Sequence, residues 1–226
     1  MDIHFSACSV RFGQRIALEP LTLHLGGRRV AVIGLNGSGK TTFARLINGL
    51  TLPGKGRVTV NGIETAASPE EARREAGFVF QNPQNQLIMP IVIEDIVFGL
   101  KARGLRQAAA EARAGETLAR FGAAALARRR VHELSGGEMQ LAAMASVLAL
   151  SPRILVMDEP TNQLDLRNRR LVVDAIEAMA EDAVVVTHDL DLALRFPRVL
   201  LFHEGRLVAD GAADATIRCY REIAGC

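Results

Sequence analysis

Nine consecutive residues, Gly34-Leu35-Asn36-Gly37-Ser38-Gly39-Lys40-Thr41-Thr42, combine three glycines, one ammonium and three hydroxyls. They fit the phosphate-binding P-loop pattern G-x-x-x-x-G-K-[ST]. Glycine lets the backbone turn so that successive N–H groups face an anion. Lys40 would reach the β- and γ-phosphates of a nucleotide, and the Thr41 hydroxyl would ligate Mg²⁺. A second set, Ile154-Leu155-Val156-Met157-Asp158-Glu159, is an apolar run that ends in two carboxylates. An acid at the end of a strand beside a P-loop strand is placed to hold Mg²⁺ or its waters, which is the part given to Asp158. Glu159 would then orient or deprotonate the attacking water. Alone, the pair would read as surface acids after a core strand; after a P-loop it carries weight. A third set, Leu134-Ser135-Gly136-Gly137-Glu138, opens a helix. Its hydroxyl, bare backbone and helix N-terminus form another anion site. By itself it reads as a helix cap. Beside Lys40, it makes sense if two sites clamp one nucleotide between two chains.

The elements around these residues suit the chemistry. Val30-Ala31-Val32-Ile33 before the P-loop reads as a buried strand, and Phe43 to Asn48 after it reads as a helix stopped by Gly49. Ile3, Phe5 and Ala7 alternate with polar neighbours, as do Leu21, Leu23 and Leu25, which predicts two strands. A strand over 56–60 runs into Asn61-Gly62, a hairpin turn. Ser68-Pro69-Glu70-Glu71 predicts a helix start with a capping box. A strand over 78–80 ends at Gln81, and a polar loop follows. Residues 93–150 read as helical, broken at Gly104, at Gly122 and at 134–137, with a helix over 138–150. Strand and helix then alternate: a strand over 154–157, a helix over 166–180, a strand over 183–187 and a short helix from Asp189. A hairpin turns at Glu204-Gly205, and a helix over 212–223 ends the chain. The implied architecture is an α/β core with a helical insertion.

The 226 residues are 49% hydrophobic and 23% charged, with a net charge of +2. That supplies a core and argues against disorder and against a dedicated nucleic-acid surface. Arginine outnumbers lysine 24 to 3, which reads as coding bias. Cys8, Cys219 and Cys226 form no C-x-x-C pair, which suits a reducing compartment. The start lacks a signal-peptide pattern, and the longest apolar run, 141–150, is too short to span a bilayer. Any membrane role would come through a partner.

The P-loop, Leu134-Ser135-Gly136-Gly137-Glu138 and Met157-Asp158-Glu159-Pro160-Thr161 occur in that order. Gln81 follows a strand, and Thr187-His188-Asp189 follows the last core strand. Over essentially the whole chain this resembles the nucleotide-binding subunit of ATP-binding cassette (ABC) transporters. The resemblance implies one ABC ATPase domain over 1–226, with a P-loop NTPase (RecA-like) core and an antiparallel β subdomain. The core would comprise 1–82 and 152–226, and an inserted α-helical subdomain carrying the signature would cover 83–151. It implies a head-to-tail homodimer, with ATP and Mg²⁺ between the P-loop of one copy and Ser135, Gly136, Gly137 and Glu138 of the other. It also implies that Gln81 is a Mg²⁺ ligand and sensor of the transmembrane partner, that His188 contacts the γ-phosphate, and that Asp165, in Gln163-Leu164-Asp165, couples the two sites. Phe12 stands where the family stacks a ring on adenine, although an aromatic residue is as readily core. Gln81 or His188 alone would mean little. Two departures stand out: Glu138 where Gln is common, followed by Met139-Gln140, and Gln163 where a small residue is usual.

A narrower resemblance rests on Phe78-Val79-Phe80-Gln81-Asn82-Pro83-Gln84-Asn85-Gln86 and Glu94-Asp95-Ile96-Val97-Phe98-Gly99-Leu100. It is to the ATPases of energy-coupling factor (ECF) importers of vitamins and transition-metal ions. Residues 35–50 are most similar to biotin-importer ATPases, with cobalt- and nickel-importer ATPases the close rival. The expected partners are a transmembrane coupling protein and a substrate-binding membrane protein, with no nucleic acid. The expected location is the cytoplasmic face of a prokaryotic inner membrane, peripherally. The alternative is a non-transport ABC ATPase of DNA repair or translation, but those relatives usually carry a long coiled coil or two cassettes. A GTPase would need Asn-Lys-x-Asp, which is absent, and a kinase would need an acceptor pocket and a lid.

Overall fold

Strands buried on both faces need no polar alternation, and the apolar runs are such strands. The computed structural model describes residues 1–225; Cys226 lies outside them. In chain order the strands are β1 (Ile3–Phe12), β2 (Arg15–Leu25), β3 (Arg29–Gly34), β4 (Lys55–Val60), β5 (Ile63–Glu64), β6 (Ala76–Val79), β7 (Ile154–Asp158), β8 (Asp182–Val186), β9 (Arg198–His203) and β10 (Arg206–Gly211). The helices are α1 (Lys40–Ile47), α2 (Pro69–Glu75), α3 (Val92–Ala102), α4 (Gln107–Arg120), α5 (Gly136–Leu148), α6 (Leu166–Ala178), α7 (Leu190–Ala193) and α8 (Ala213–Ala224). Three-residue 3₁₀ turns lie at Pro83–Asn85, Ala124–Leu126 and Val131–Glu133.

The chain divides into two compact units. The first holds Met1–Phe78, Arg153–Glu159 and the residues from Glu181 onward. Its main sheet has the order β10-β9-β3-β8-β7-β6, with β9, β3, β8 and β7 mutually parallel where paired and β10 antiparallel to β9. Every residue of β7 is buried, as are all of β3 and β8 but their first. β3 lies in the middle, so the P-loop leaves from the centre of the sheet. A second sheet, β2-β1-β4-β5, is antiparallel. Phe5 stacks on Phe43 at 4.7 Å between ring centroids, and Phe43 meets Phe202 at 4.9 Å, all three fully buried. This aromatic column anchors α1 three residues after Lys40.

The expected alternation in β1 fails at Ala7. Its φ is +46°, the register shifts there, and Ala7 is exposed while Cys8 turns inward. A bulge moves the inward set from Ala7 to Cys8 and Val10. Burial pushes the Cys8 thiol up to about 11. Ser68 does begin a helix with Pro69 at its first turn, but its side chain makes no capping bond.

The second unit holds Val79–Pro152 and Pro160–Ala180. The sequence reading left 160–180 in the core; here α6 groups with the helices because it packs on α5. Ten of the thirteen residues of α5 are buried, so it is apolar on nearly every side. That helix starts at Gly136, two residues before the expected position, because Ser135 caps it. Among the described residues, no helix is long and apolar enough to cross a membrane.

Candidate nucleotide-binding site

The turn from β3 into α1 needs glycine for two separate reasons. Gly34 and Gly39 have φ of +148° and +102°. A Cβ on Gly34 would lie 2.1 Å from the Phe202 carbonyl oxygen, and one on Gly39 would lie 2.6 Å from that of Ala17. Gly39 is the N-cap of α1 and offers no side-chain cap. The first-turn N–H groups of α1 therefore face the loop without intrahelical acceptors. The Ser38 hydroxyl is buried with no hydrogen-bond partner. Lys40 is 6% exposed, and its Nζ donates to the carbonyls of Gly34 at 2.8 Å and Leu35 at 3.0 Å. Burial lowers its pKa, opposed by the nearby Glu159 and Asp158 charges. A shielded ammonium, an orphaned hydroxyl and open amides together form a cradle for a polyanion.

Asp158 ends β7 beside α1 and accepts from Thr41 Oγ1 at 3.1 Å. Burial raises its pKa, and the Thr41 bond opposes the rise. Glu159 follows in the left-handed region, φ +53°, with its N–H on Val186 O at 2.8 Å. That conformation is strained for a side-chain-bearing residue and typical of functional sites. Glu159 Oε2 accepts from the His188 amide at 3.0 Å and lies 2.6 Å from His188 Nδ1. Within the first unit, Lys40, Thr41, Asp158, Glu159 and His188 are thus linked in one place. Phe12 is 57% exposed at the end of β1, so it is not a core residue.

The second unit assembles its own group. Ser135 caps α5 with a complete capping box: its Oγ accepts from Glu138 N at 3.3 Å, and Glu138 Oε2 accepts from Ser135 N at 2.8 Å. That backbone bond, first among the causes, holds the Glu138 carboxyl below its usual pKa. Gly136 and Gly137 have negative φ; their need is room, since a Cβ on Gly137 would meet Asn168 at 2.5 Å. Asp165 caps α6 through Asn168 N at 2.8 Å. Gln81 lines a cavity of about 420 Å³ together with Gly136, Gln140, Gln163 and Leu164.

The sequence-family model described as ABC transporter matches residues 19–162. The chain belongs to this family. It is 62% identical over 224 residues to the biotin transport ATP-binding protein BioM of Rhizobium etli, covering 99% of this chain and all of that one. The solved structure of cbiO1 from Clostridium perfringens, described as part of the ABC transporter complex cbiONQ, superposes with a TM-score of 0.86 at 26% identity. It covers 99% of this chain and 93% of that one. A dimeric ATP-binding cassette in a post-hydrolysis state bound to ADP and Pi gives 0.83 at 26% identity, covering 93% and 98%. The cassette fold, an α/β P-loop NTPase, therefore stands.

Three positions in this cassette have structural parts to which the sequence assigns no role. Asn168 joins the signature to the loop before α6: its Oδ1 lies 3.4 Å from Ser135 Oγ, and its Nδ2 donates to Asp165 Oδ2 at 2.9 Å. The Asp165-x-x-Asn168 spacing of an N-cap was the available signal. Arg129 donates to Glu138 Oε1 at 3.2 Å and to the Glu133 carbonyl at 2.6 Å. Nothing in the alanine- and arginine-rich stretch around it marks it out. Asp95, buried, accepts from the amides of Ile88 (2.7 Å) and Met89 (3.1 Å) and from Ser146 Oγ (2.9 Å).

Proposed function

We propose that this chain is the ATP-hydrolysing subunit of an ECF-type importer, with biotin the imported vitamin. The observation that carries this reading is the near-full-length 62% identity to a protein named for biotin transport, on a chain with a linked Lys40–Thr41–Asp158–Glu159–His188 group. Two copies would close head to tail on two ATP molecules. Gly34, Leu35, Asn36, Gly37, Ser38, Gly39, Lys40, Thr41 and Thr42 would receive the phosphates, with Phe12 against adenine.

Mg²⁺ fits the oxygens present. Ligands about 2.1 Å from an octahedral ion sit about 3.0 Å apart, and Thr41 Oγ1 and Asp158 Oδ1 are 3.1 Å apart. Those two residues would hold the ion, which when bound neutralises phosphate charge. Glu159 accepts a proton from water as the water attacks the γ-phosphorus and the bond to the β–γ bridging oxygen breaks. His188 fixes the Glu159 carboxylate through its amide and ring. Ser135, Gly136, Gly137 and Glu138 cap the γ-phosphate of the other copy's nucleotide, and Asp165 couples the two sites.

ATP would shift the open–closed equilibrium by its higher affinity for the closed dimer. Closure would then move the helical unit against a transmembrane coupling protein, itself joined to a substrate-binding membrane protein. Ile88 and Phe98 are exposed apolar side chains of that unit, suited to such a contact. The cassette would sit peripherally on the cytoplasmic face of the inner membrane.

Reconstitution with those membrane proteins and labelled biotin tests this. Uptake should require ATP and stop with Glu159→Gln. ATP-dependent uptake of cobalt or nickel in place of biotin would overturn the solute. Absence of any ATP-dependent uptake would overturn the transport role.

A further inference from the structure

A second cluster lies on the antiparallel sheet of the first unit. His4 on β1 stands directly opposite His24 on β2 in the strand register. Asp2 precedes His4 by two residues, the spacing that returns a side chain to the same face of an extended chain. The two imidazoles stack at 4.2 Å with an angle of 11° between their planes. Both Nε2 atoms converge on one oxygen, Asp2 Oδ1, at 2.9 Å from His4 and 2.8 Å from His24. One ligand atom from each residue thus falls within 4.8 Å of the other two. All three side chains are about half exposed.

We propose that Asp2, His4 and His24 form a surface site for a borderline transition-metal dication of the Zn²⁺ class. Two imidazole nitrogens and one carboxylate are the ligand types such ions choose over Mg²⁺ or Ca²⁺. A carboxylate oxygen only accepts, so each Nε2 carries the proton it shares with Asp2. As the ion arrives, each neutral ring passes its proton through solvent from Nε2 to Nδ1, which frees the Nε2 lone pair for the metal.

Tetrahedral ligands about 2.0 Å from zinc are about 3.3 Å apart. The cluster must open by a few tenths of an ångström, which half-exposed side chains can do. Gly26 leaves room for the His24 ring, since a Cβ there would lie 3.3 Å from it. Three protein ligands leave the remaining coordination to water. The bound ion would staple β1 to β2, the edge strand of its sheet.

The test is equilibrium dialysis of the full chain against zinc chloride, without nucleotide, after chelator treatment and its removal. One ion per chain is expected, with affinity falling about tenfold or more in each of His4→Gln, His24→Gln and Asp2→Asn. Zinc should raise the Tm of the native chain and leave that of His4→Gln/His24→Gln unmoved. Binding should persist in Asp158→Asn, which separates this site from the P-loop. ATPase activity of the double histidine variant with saturating Mg·ATP should match the native chain and certify its folding. Absence of stoichiometric zinc binding, or binding untouched by the histidine substitutions, overturns the proposal.

Discussion

Lys40 and Asp158 are buried with charges that the folded chain alone serves poorly, and that is what makes them useful. Lys40 rests on two carbonyls, so a phosphate can take over its hydrogen bonds without a carboxylate to displace. Lys40→Ala should lower ATP affinity about 100-fold, the scale of charge-assisted bonds worth about 3 kcal/mol; titration with a fluorescent nucleotide measures it. Asp158 gives a prediction of opposite sign for stability. Burial raises its folded pKa above the unfolded value. Its favourable contribution is therefore present below the unfolded pKa and is lost as pH rises through the folded one. At neutral pH the carboxylate is a cost, and Asp158→Asn should raise Tm in the absence of Mg²⁺ and nucleotide while ATP hydrolysis collapses. Thermal melts of both chains at pH 4 and pH 8 check it: the gap should widen at pH 8, and a lower Tm for the variant at pH 8 would contradict it. Other residue-level features were less legible. Phe12 could not be assigned to core or surface from its type, because an aromatic ring suits both. Asn168 was readable only as the partner of an N-cap at Asp165; its contact with Ser135, 33 residues away, and the Arg129 bond to Glu138 leave no pattern in the sequence.

At the scale of elements, the apolar runs translated directly into buried parallel strands, and the glycine-rich turns into helix starts. The failures were places where local geometry overrides a period. Ala7 sits in a bulge that slips the pleat, and α6 groups with the helical unit although the resemblance implied a core that includes it. The start of α5 shows why an element's edge can matter more than its middle. Gly137 leaves only enough room for Asn168, which also touches Ser135 and Asp165. Alanine ordinarily gains about 1 kcal/mol over glycine inside a helix. Here the added methyl group meets Asn168 at 2.5 Å, and overpacking costs about 1–3 kcal/mol. The clash outweighs the propensity, so Gly137→Ala should lower Tm by several degrees and reduce turnover. A rise in Tm would show that the contact yields.

At the scale of the whole molecule, the two groups proposed to meet phosphate lie in separate units. The first has the ammonium, the acids and the strained Glu159; the second has a capped helix start with bare backbone. Neither group alone accounts for the spacing of motifs along 226 residues. An arrangement in which the second group of one copy meets the nucleotide on the first group of another accounts for both. It also explains why hydrolysis can be coupled to movement, since the nucleotide is then part of the contact between copies. The decisive measurement is the solution mass of the Glu159→Gln chain, by size exclusion with light scattering, with and without Mg·ATP. That variant should bind ATP but turn over about 10²–10⁴-fold more slowly, the range lost with a general base, so any closed state accumulates. A dimer with ATP and a monomer without it is the predicted result. A monomer at saturating ATP would contradict the account.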